Sequence, residues 1–253
     1  MTTTQSEAQR LLDGHYKTLV FAAHPDDESI GASFFLQRQQ NAYVAFATSG
    51  GYTFPDRLHR LGLASLSDYA SKRENEAYDA LNLVPESTRY FLRFPDGGLQ
   101  QHLAECFKSL TEAVDEHQPE FVLTHAFEGG HADHDCCSFL VSRLRARREI
   151  RAWEMPIYHR IGTRTISQVF RDGTEIDLAT ATPSDAEITV KRAMLECHRT
   201  QVTLNVFNEL GVDATRPELY RPQPEYDYYD SSMASSDMAK CFAAFDRELA
   251  DLK

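Results

Sequence analysis

Apolar and polar positions along this chain follow two alternating periods. Four short apolar runs, Thr18 to Ala23, Ala42 to Thr48, Arg89 to Phe94 and Phe121 to Thr124, read as strands. Each gives way to a polar or glycine-rich stretch and then to apolar residues at helical spacing. Ile30, Phe34 and Phe35 mark a helix within Ser29 to Gln40, and a second is predicted over Asp68 to Leu81. Leu103, Phe107, Leu110 and Val114 mark a third, and Cys137, Leu140, Val141 and Leu144 a fourth. Such alternation predicts an α/β fold, a Rossmann-like three-layer sandwich with a mainly parallel sheet and a C-terminal β-containing extension. Ligands of these sheets sit beyond the carboxyl ends of the strands.

Past Arg151 the pattern changes. Strands are predicted near Trp153 to Tyr158, Ile166 to Phe170 and Glu175 to Leu178, then a helix from about Ser184 bearing Val190, Met194 and Cys197. Pro217 to Tyr229, rich in proline and tyrosine, reads as a wrapping loop, and the basic run Arg143 to Arg148 as a solvated helix end. With 253 residues, 42% of them hydrophobic, one domain over 1–253 suffices, its core about 18–201 and its extension about 202–253.

A formal net charge of −12 argues against nucleic acid and anionic lipid as partners. The polar N-terminus lacks a signal-type apolar core, and no stretch is long enough for a transmembrane segment, so a cytoplasmic protein is expected. Cys106, Cys136, Cys137, Cys197 and Cys241 show no CxxC spacing and read as reduced, mostly buried thiols.

Candidate chemistry lies just past the first strand. His24 precedes a proline, which biases it to extended geometry, and Pro25 suits the start of a helical turn holding Asp26, Asp27 and Glu28. In that turn His24 and Asp27 share a side, an imidazole and a carboxylate suited to a divalent metal. Asp26 projects differently, toward water at the metal, while Glu28 reads as a helix N-terminus residue. Three ionisable groups beside a buried strand are costly to desolvate without a partner.

After the fourth strand come His125, His131, Asp133 and His134, with Glu128-Gly129-Gly130 between, where glycine permits close backbone approach. His134, at a predicted helix start, is placed to complete a His-Asp-His triad with one open coordination position. His131 lies nearby unligated, and His125 reads as an ordinary hydrogen-bonded residue. Two histidines and a carboxylate also suit a non-haem iron oxygenase, although those enzymes usually rest on β barrels. Paired aspartates after a first strand also suit a non-catalytic magnesium-binding receiver-like domain, but such domains are shorter and need none of the histidines.

Ala23-His24-Pro25-Asp26-Asp27-Glu28 together with Gly130-His131-Ala132-Asp133-His134 resembles the LmbE-like or PIG-L family of zinc-dependent N-deacetylases. The likeness continues through Arg73-Glu74-Asn75-Glu76, Phe94-Pro95-Asp96-Gly97-Gly98-Leu99 and Lys191 to Gln201 with His198, covering about residues 18 to 201. It implies that His24, Asp27 and His134 bind one Zn2+, with other divalent metals such as Fe2+ compatible. It further implies Asp26 as general base, a protonated His131 as oxyanion stabiliser, and Asp133 orienting a histidine. Arg73 and Asp96 would face the substrate, a small N-acetylated sugar or glycoside, although by themselves they read as a surface helix residue and a turn former. The chain departs from the family pattern at Ser49-Gly50-Gly51-Tyr52, a substrate-facing loop in relatives, and at Ala132, where many members carry proline.

Overall fold

The first strand, β1 (Thr18–Ala22), is buried at every position, as a strand covered on both faces of a parallel sheet must be. Around it the computed structural model, which describes residues 6–51, 55–85, 87–173, 178–230 and 232–251, places eight more strands. These are β2 (Ala42–Thr48), β3 (Ser87–Phe94), β4 (Phe121–His125), β5 (Arg151–Met155), β6 (Tyr158–Ile161), β7 (Arg164–Ser167), β8 (Ala179–Ala181) and β9 (Glu218–Pro222). The first six helices are α1 (Glu7–Leu12), α2 (Asp27–Gly31), α3 (Ser33–Arg38), α4 (Pro55–Leu61), α5 (Leu66–Leu81) and α6 (Leu103–His117). Then follow α7 (Ala132–Arg145), α8 (Asp185–Cys197), α9 (Arg199–Thr203), α10 (Val206–Leu210) and α11 (Ser236–Asp251).

Seven strands form one sheet in the order β3-β2-β1-β4-β5-β9-β8, and β6 pairs with β7 as a separate hairpin. The first five run parallel, while β9 lies antiparallel to both β5 and β8. The chain steps outward from β1 to β3 and then returns to set β4 on the other side of β1, with Thr18 opposite Phe121 and Val20 opposite Leu123. The carboxyl ends of β1 and β4 therefore flank the switch point where such sheets bind ligands.

Alternate residues of β1 build two cores. Val20 and Ala22 face Phe34, Phe35, Leu81 and Met194 on one side, and Leu19 and Phe21 face Leu110, Phe139, Leu140 and Phe242 on the other. The second core depends on α11, whose Phe242 stacks on Phe139 with ring centroids 4.0 Å apart. The fold is thus the expected Rossmann-like three-layer sandwich, and the structure adds helices α1, α4, α9, α10 and α11 that the periodicity did not predict.

Other differences have physical reasons. The helix expected over Ser29 to Gln40 is broken at Ala32, which leaves the helical region at φ −132°. The backbone groups freed by the break find distant partners: Lys191 Nζ donates to Ile30 O at 2.7 Å, and Glu218 Oε2 accepts from Phe34 N at 2.8 Å. Glu218 belongs to β9, so Pro217 to Tyr229 is not simply a loop; it contributes a strand that β5 and β8 pair with. Of the strand expected over Glu175 to Leu178, residues 175–177 lie outside the described ones, and the observed strand is β8. The basic run is not merely solvated: Arg143 grips Asp246 of α11 at 2.7 and 2.8 Å, and Arg147 donates to Leu249 O. All five cysteines are free, and among the described residues no helix is long and apolar enough to cross a membrane.

Lys191 is fully buried and pairs with Glu218 at 2.7 Å, which ties α8 to β9. Lys191→Met leaves the buried Glu218 carboxylate without its charged partner, and the expected loss is about 3–5 kcal/mol, measured as a fall in unfolding free energy in urea.

Candidate active site

Where β1 ends, the chain turns through His24 and Pro25 into α2. Asp27 N donates to His24 O at 3.2 Å, while His24 N donates to Asp27 Oδ2 at 2.7 Å, so a local turn brings the imidazole and carboxylate together. Between them Asp26 holds φ at +141°, a strained value for a residue with a side chain, costing on the order of 1–3 kcal/mol. Where β4 ends, His131 caps α7, its Nδ1 accepting from Asp133 N at 3.2 Å. The approach to that cap runs against the β6 backbone: a Cβ on Gly130 would stand 2.0 Å from Tyr158 O.

These two turns meet. His24 Nδ1 lies 3.3 Å from Asp27 Oδ2 and 3.2 Å from His134 Nε2, and His134 Nε2 lies 3.3 Å from Asp27 Oδ1. The edge of a tetrahedral zinc site with nitrogen and oxygen ligands is about 3.3 Å, so the three donors fit one face of such a site. His125 Nε2 is also near, 3.4 Å from Asp27 Oδ2, but it accepts Ala23 N–H at 2.9 Å and has no lone pair left for a metal. Instead its ring stacks on His134 at 4.1 Å. His24, His131 and His134 form a further cluster of potential donors, as do His24, Asp96, His131 and Asp133.

The opposite nitrogen of His24 is held by carboxylates: Nε2 lies 3.2 Å from Asp133 Oδ2 and 3.3 Å from Asp96 Oδ1. Asp133 is itself fixed by Gly97 N at 2.7 Å and Leu99 N at 3.1 Å. Burial disfavours charge on His24, but Asp96, Asp133 and Asp27 outweigh it and hold its pKa well above the ordinary histidine value. For Asp27, burial is likewise outweighed by His134 and His125, which keep its carboxyl well below the usual range. Burial, with His125 and His24 adding to it, holds His134 down to about 4 against the pull of Asp27. The result is an ionised carboxylate and an imidazole with a free lone pair, in surroundings that favour a cation.

Burial pushes Asp26 up to about 6, with Arg73 opposing the shift and Asp27 adding to it. His131 differs from the protonated imidazole expected: burial, then His24 and His134, hold it at about 3. With Nδ1 accepting a backbone N–H, its neutral ring offers Nε2–H. Arg73 is not a surface residue; it is buried and donates to Gly50 O at 3.1 Å and to Pro25 O, with Nη2 3.1 Å from Asp26 Oδ2. A Cβ on Gly50, which has φ +64°, would meet Pro25 at 2.9 Å and the Arg73 guanidinium at 3.1 Å, so the divergent Ser49-Gly50-Gly51 segment packs on the first turn. Tyr52 of that loop lies outside the described residues.

His24, Asp26, Asp27, Arg73, Asp96, His131 and His134 all border one open cleft of about 500 Å3. Asp133 stands behind His24, fully buried. The far rim adds Gln201 of α9, the end of the family-like stretch, and residues the sequence reading missed, among them Tyr158 of β6 and Val206 and Glu209 of α10. Nothing in their spacing marks them, because they reach the cleft only through the β6–β7 hairpin and the turn after α8. Glu28 lies in the first turn of α2, as read, and is in addition fully buried.

The sequence pattern of the family described as PIG-L: GlcNAc-PI de-N-acetylase matches residues 19–144, the span from β1 to the end of α7. Residues 19–144 are accordingly a PIG-L (LmbE-like) family domain. No curated protein sequence matches the chain. Among solved structures, a triple mutant of a deacetylase from the teicoplanin biosynthetic pathway superposes with a TM-score of 0.64 at 19% identity, covering 83% of this chain and 99% of that one. The zinc-inhibited form of teicoplanin deacetylase gives 0.63 at 17%, covering 83% and 98%. N,N'-diacetylchitobiose deacetylase from Pyrococcus horikoshii gives 0.52 at 15%, covering 88% and 95%. At these identities the likeness is one of fold.

Gly130→Ala drives a methyl group into the Tyr158 carbonyl. The expected loss of stability is about 1–3 kcal/mol, read as a lowered midpoint of chemical denaturation, with β6 and the His131 turn displaced from each other.

Proposed function

We propose that this chain is a metal-dependent N-deacetylase acting on an N-acetylglucosamine-type sugar or glycoside. The observation that carries the reading is the triangle of His24 Nδ1, Asp27 and His134 Nε2, with edges of 3.2–3.3 Å, at the switch point of the sheet. The PIG-L domain and structural neighbours described as deacetylases of the teicoplanin biosynthetic pathway and of N,N'-diacetylchitobiose support the substrate class. Neither rival reading is favoured: the sheet is mainly parallel and open rather than a β barrel, and a receiver has no use for the histidine cluster.

A divalent cation held by His24, Asp27 and His134 would polarise the acetyl carbonyl and lower the pKa of water in the cleft. Asp26, beside that triangle and poised near pH 6, takes the proton of the attacking water as its oxygen bonds to the carbonyl carbon. Asp26 then returns the proton to the nitrogen as the C–N bond breaks, releasing acetate and an amine. His131 Nε2–H donates to the carbonyl oxygen as negative charge develops there. Arg73 holds the Asp26 carboxylate and with Asp96 borders the sugar, and Asp133 fixes the orientation of His24. We assign zinc as the metal; because one relative is described in a zinc-inhibited form, reconstitution should compare Zn2+ with Fe2+.

Asp26→Asn is expected to keep its metal and lose at least about 100-fold in turnover, whereas His134→Ala loses the metal. Elemental analysis with acetate-release assays over N-acetylated sugars and glycosides checks both; a fully active Asp26→Asn enzyme removes Asp26 as the base. Chelation should abolish acetate release and metal add-back restore it.

A further inference from the structure

Asp26 occupies a backbone state, φ +141° with ψ −23°, that residues with a side chain rarely adopt. An aspartate has no intrinsic preference for it, so surrounding contacts must enforce it. The Asp26 carbonyl accepts from Ser29 N and Ile30 N, both at 3.0 Å, and its N–H donates to Glu28 Oε2 at 2.8 Å. The second Glu28 oxygen, Oε1, accepts Ser29 Oγ–H at 2.7 Å and faces His198 Nε2 at 3.0 Å. His198 Nε2 also lies 3.1 Å from Ser29 Oγ.

Glu28, Ser29 and His198 are each 0% exposed, so water cannot replace a lost partner. None of the three borders the cleft, and His198 Nδ1 has no hydrogen-bond partner among the described residues. The ring therefore offers its N–H at Nε2, toward Glu28. Ser29 sits on the same short turn as Glu28 and moves with it. His198 enters from the junction of α8 and α9, 170 positions along the chain, and so anchors the turn from outside.

We infer that Glu28 and His198 are positioning residues: His198 fixes the Glu28 carboxylate, which pins the Asp26 peptide in its strained state and aims the Asp26 side chain into the cleft. The inference rests on Asp26 being the base proposed above. Without the His198 N–H, the Glu28 carboxylate can turn away, the Asp26 peptide relaxes to negative φ, and its carboxyl group swings from the attacking water. Displacement of a reacting group by about 1 Å is enough for a loss of about 100-fold.

The test compares His198→Met with His198→Gln in the metal-loaded protein. The two side chains have similar length, but only glutamine can present an N–H where Nε2 stood. His198→Met should lower kcat by about 100-fold with KM and bound metal unchanged, while His198→Gln retains most of kcat. Crystal structures should show residue 26 at negative φ in the methionine variant and at positive φ in the glutamine variant. Should His198→Met not fold, Glu28→Gln, which sets an amide group against the His198 N–H, must give the same loss of kcat at constant KM. Equal activity of the methionine and glutamine variants, or Asp26 still at positive φ in His198→Met, overturns the inference. If the unmodified protein releases no acetate, the deacetylase reading fails, while the comparison of φ still decides the positioning.

Discussion

Parallel pairing of β1 with β4 is the constraint on which the cleft depends. Each strand ends in a turn that supplies only part of the proposed metal-binding set: His24 and Asp27 from one, His134 from the other. Because the two strands run side by side in the same direction, both turns emerge at one edge of the sheet, and the three donors close to 3.2–3.3 Å. The helices that follow, α2 and α7, then carry the chain away on opposite faces, opening the crevice expected at a switch point.

That convergence gathers charge as well as donors. Asp27, Asp96 and Asp133 surround His24, and Asp26 stands beside them paired with the buried Arg73. Buried carboxylates repel one another and lose hydration, so the arrangement is stable only with compensating cations and N–H donors. The chain meets the requirement partly with backbone groups: Asp133 takes Gly97 N and Leu99 N, and Asp27 takes His24 N. The carboxylates that receive these N–H groups hold the backbone in place, while at Asp26 burial, with Asp27 adding to it, raises the pKa against the opposing charge of Arg73.

The C-terminal part of the chain closes this framework. Glu218 on β9 accepts the first N–H groups of α3, and Lys191 on α8 spans the gap between α2 and Glu218. On the other face, α11 fills the core through Phe242 and is clamped by Arg143. Segments remote in sequence thus hold α2 and α7, the two helices whose first turns carry the donors. The rim opposite those donors, from Tyr158 to Leu210, also comes from this later part and shapes the space available to a substrate.

Local rules reached far into this protein. Alternating strands and helices predicted a parallel sheet, because a strand buried on both faces and a helix with one apolar stripe leave distinct marks on hydrophobic spacing. The pairing of His24 with Asp27 was legible too, since it is made within one turn. Arg73 was misread as a surface residue and the burial of Glu28 was missed because their partners lie 23 and 170 positions away, whereas His125 is the hydrogen-bonded residue expected. Strand β9 was hidden by the prolines and tyrosines of the segment around it, as pairing near the antiparallel edge leaves no strong periodicity. By itself the sequence determined the elements and the chemical types available at each strand end, because propensity and turn geometry act over a few residues. Only the tertiary structure decided which groups meet, how their pKa values shift and that Asp26 is held at positive φ, because burial and contact across the sheet depend on the whole chain's packing.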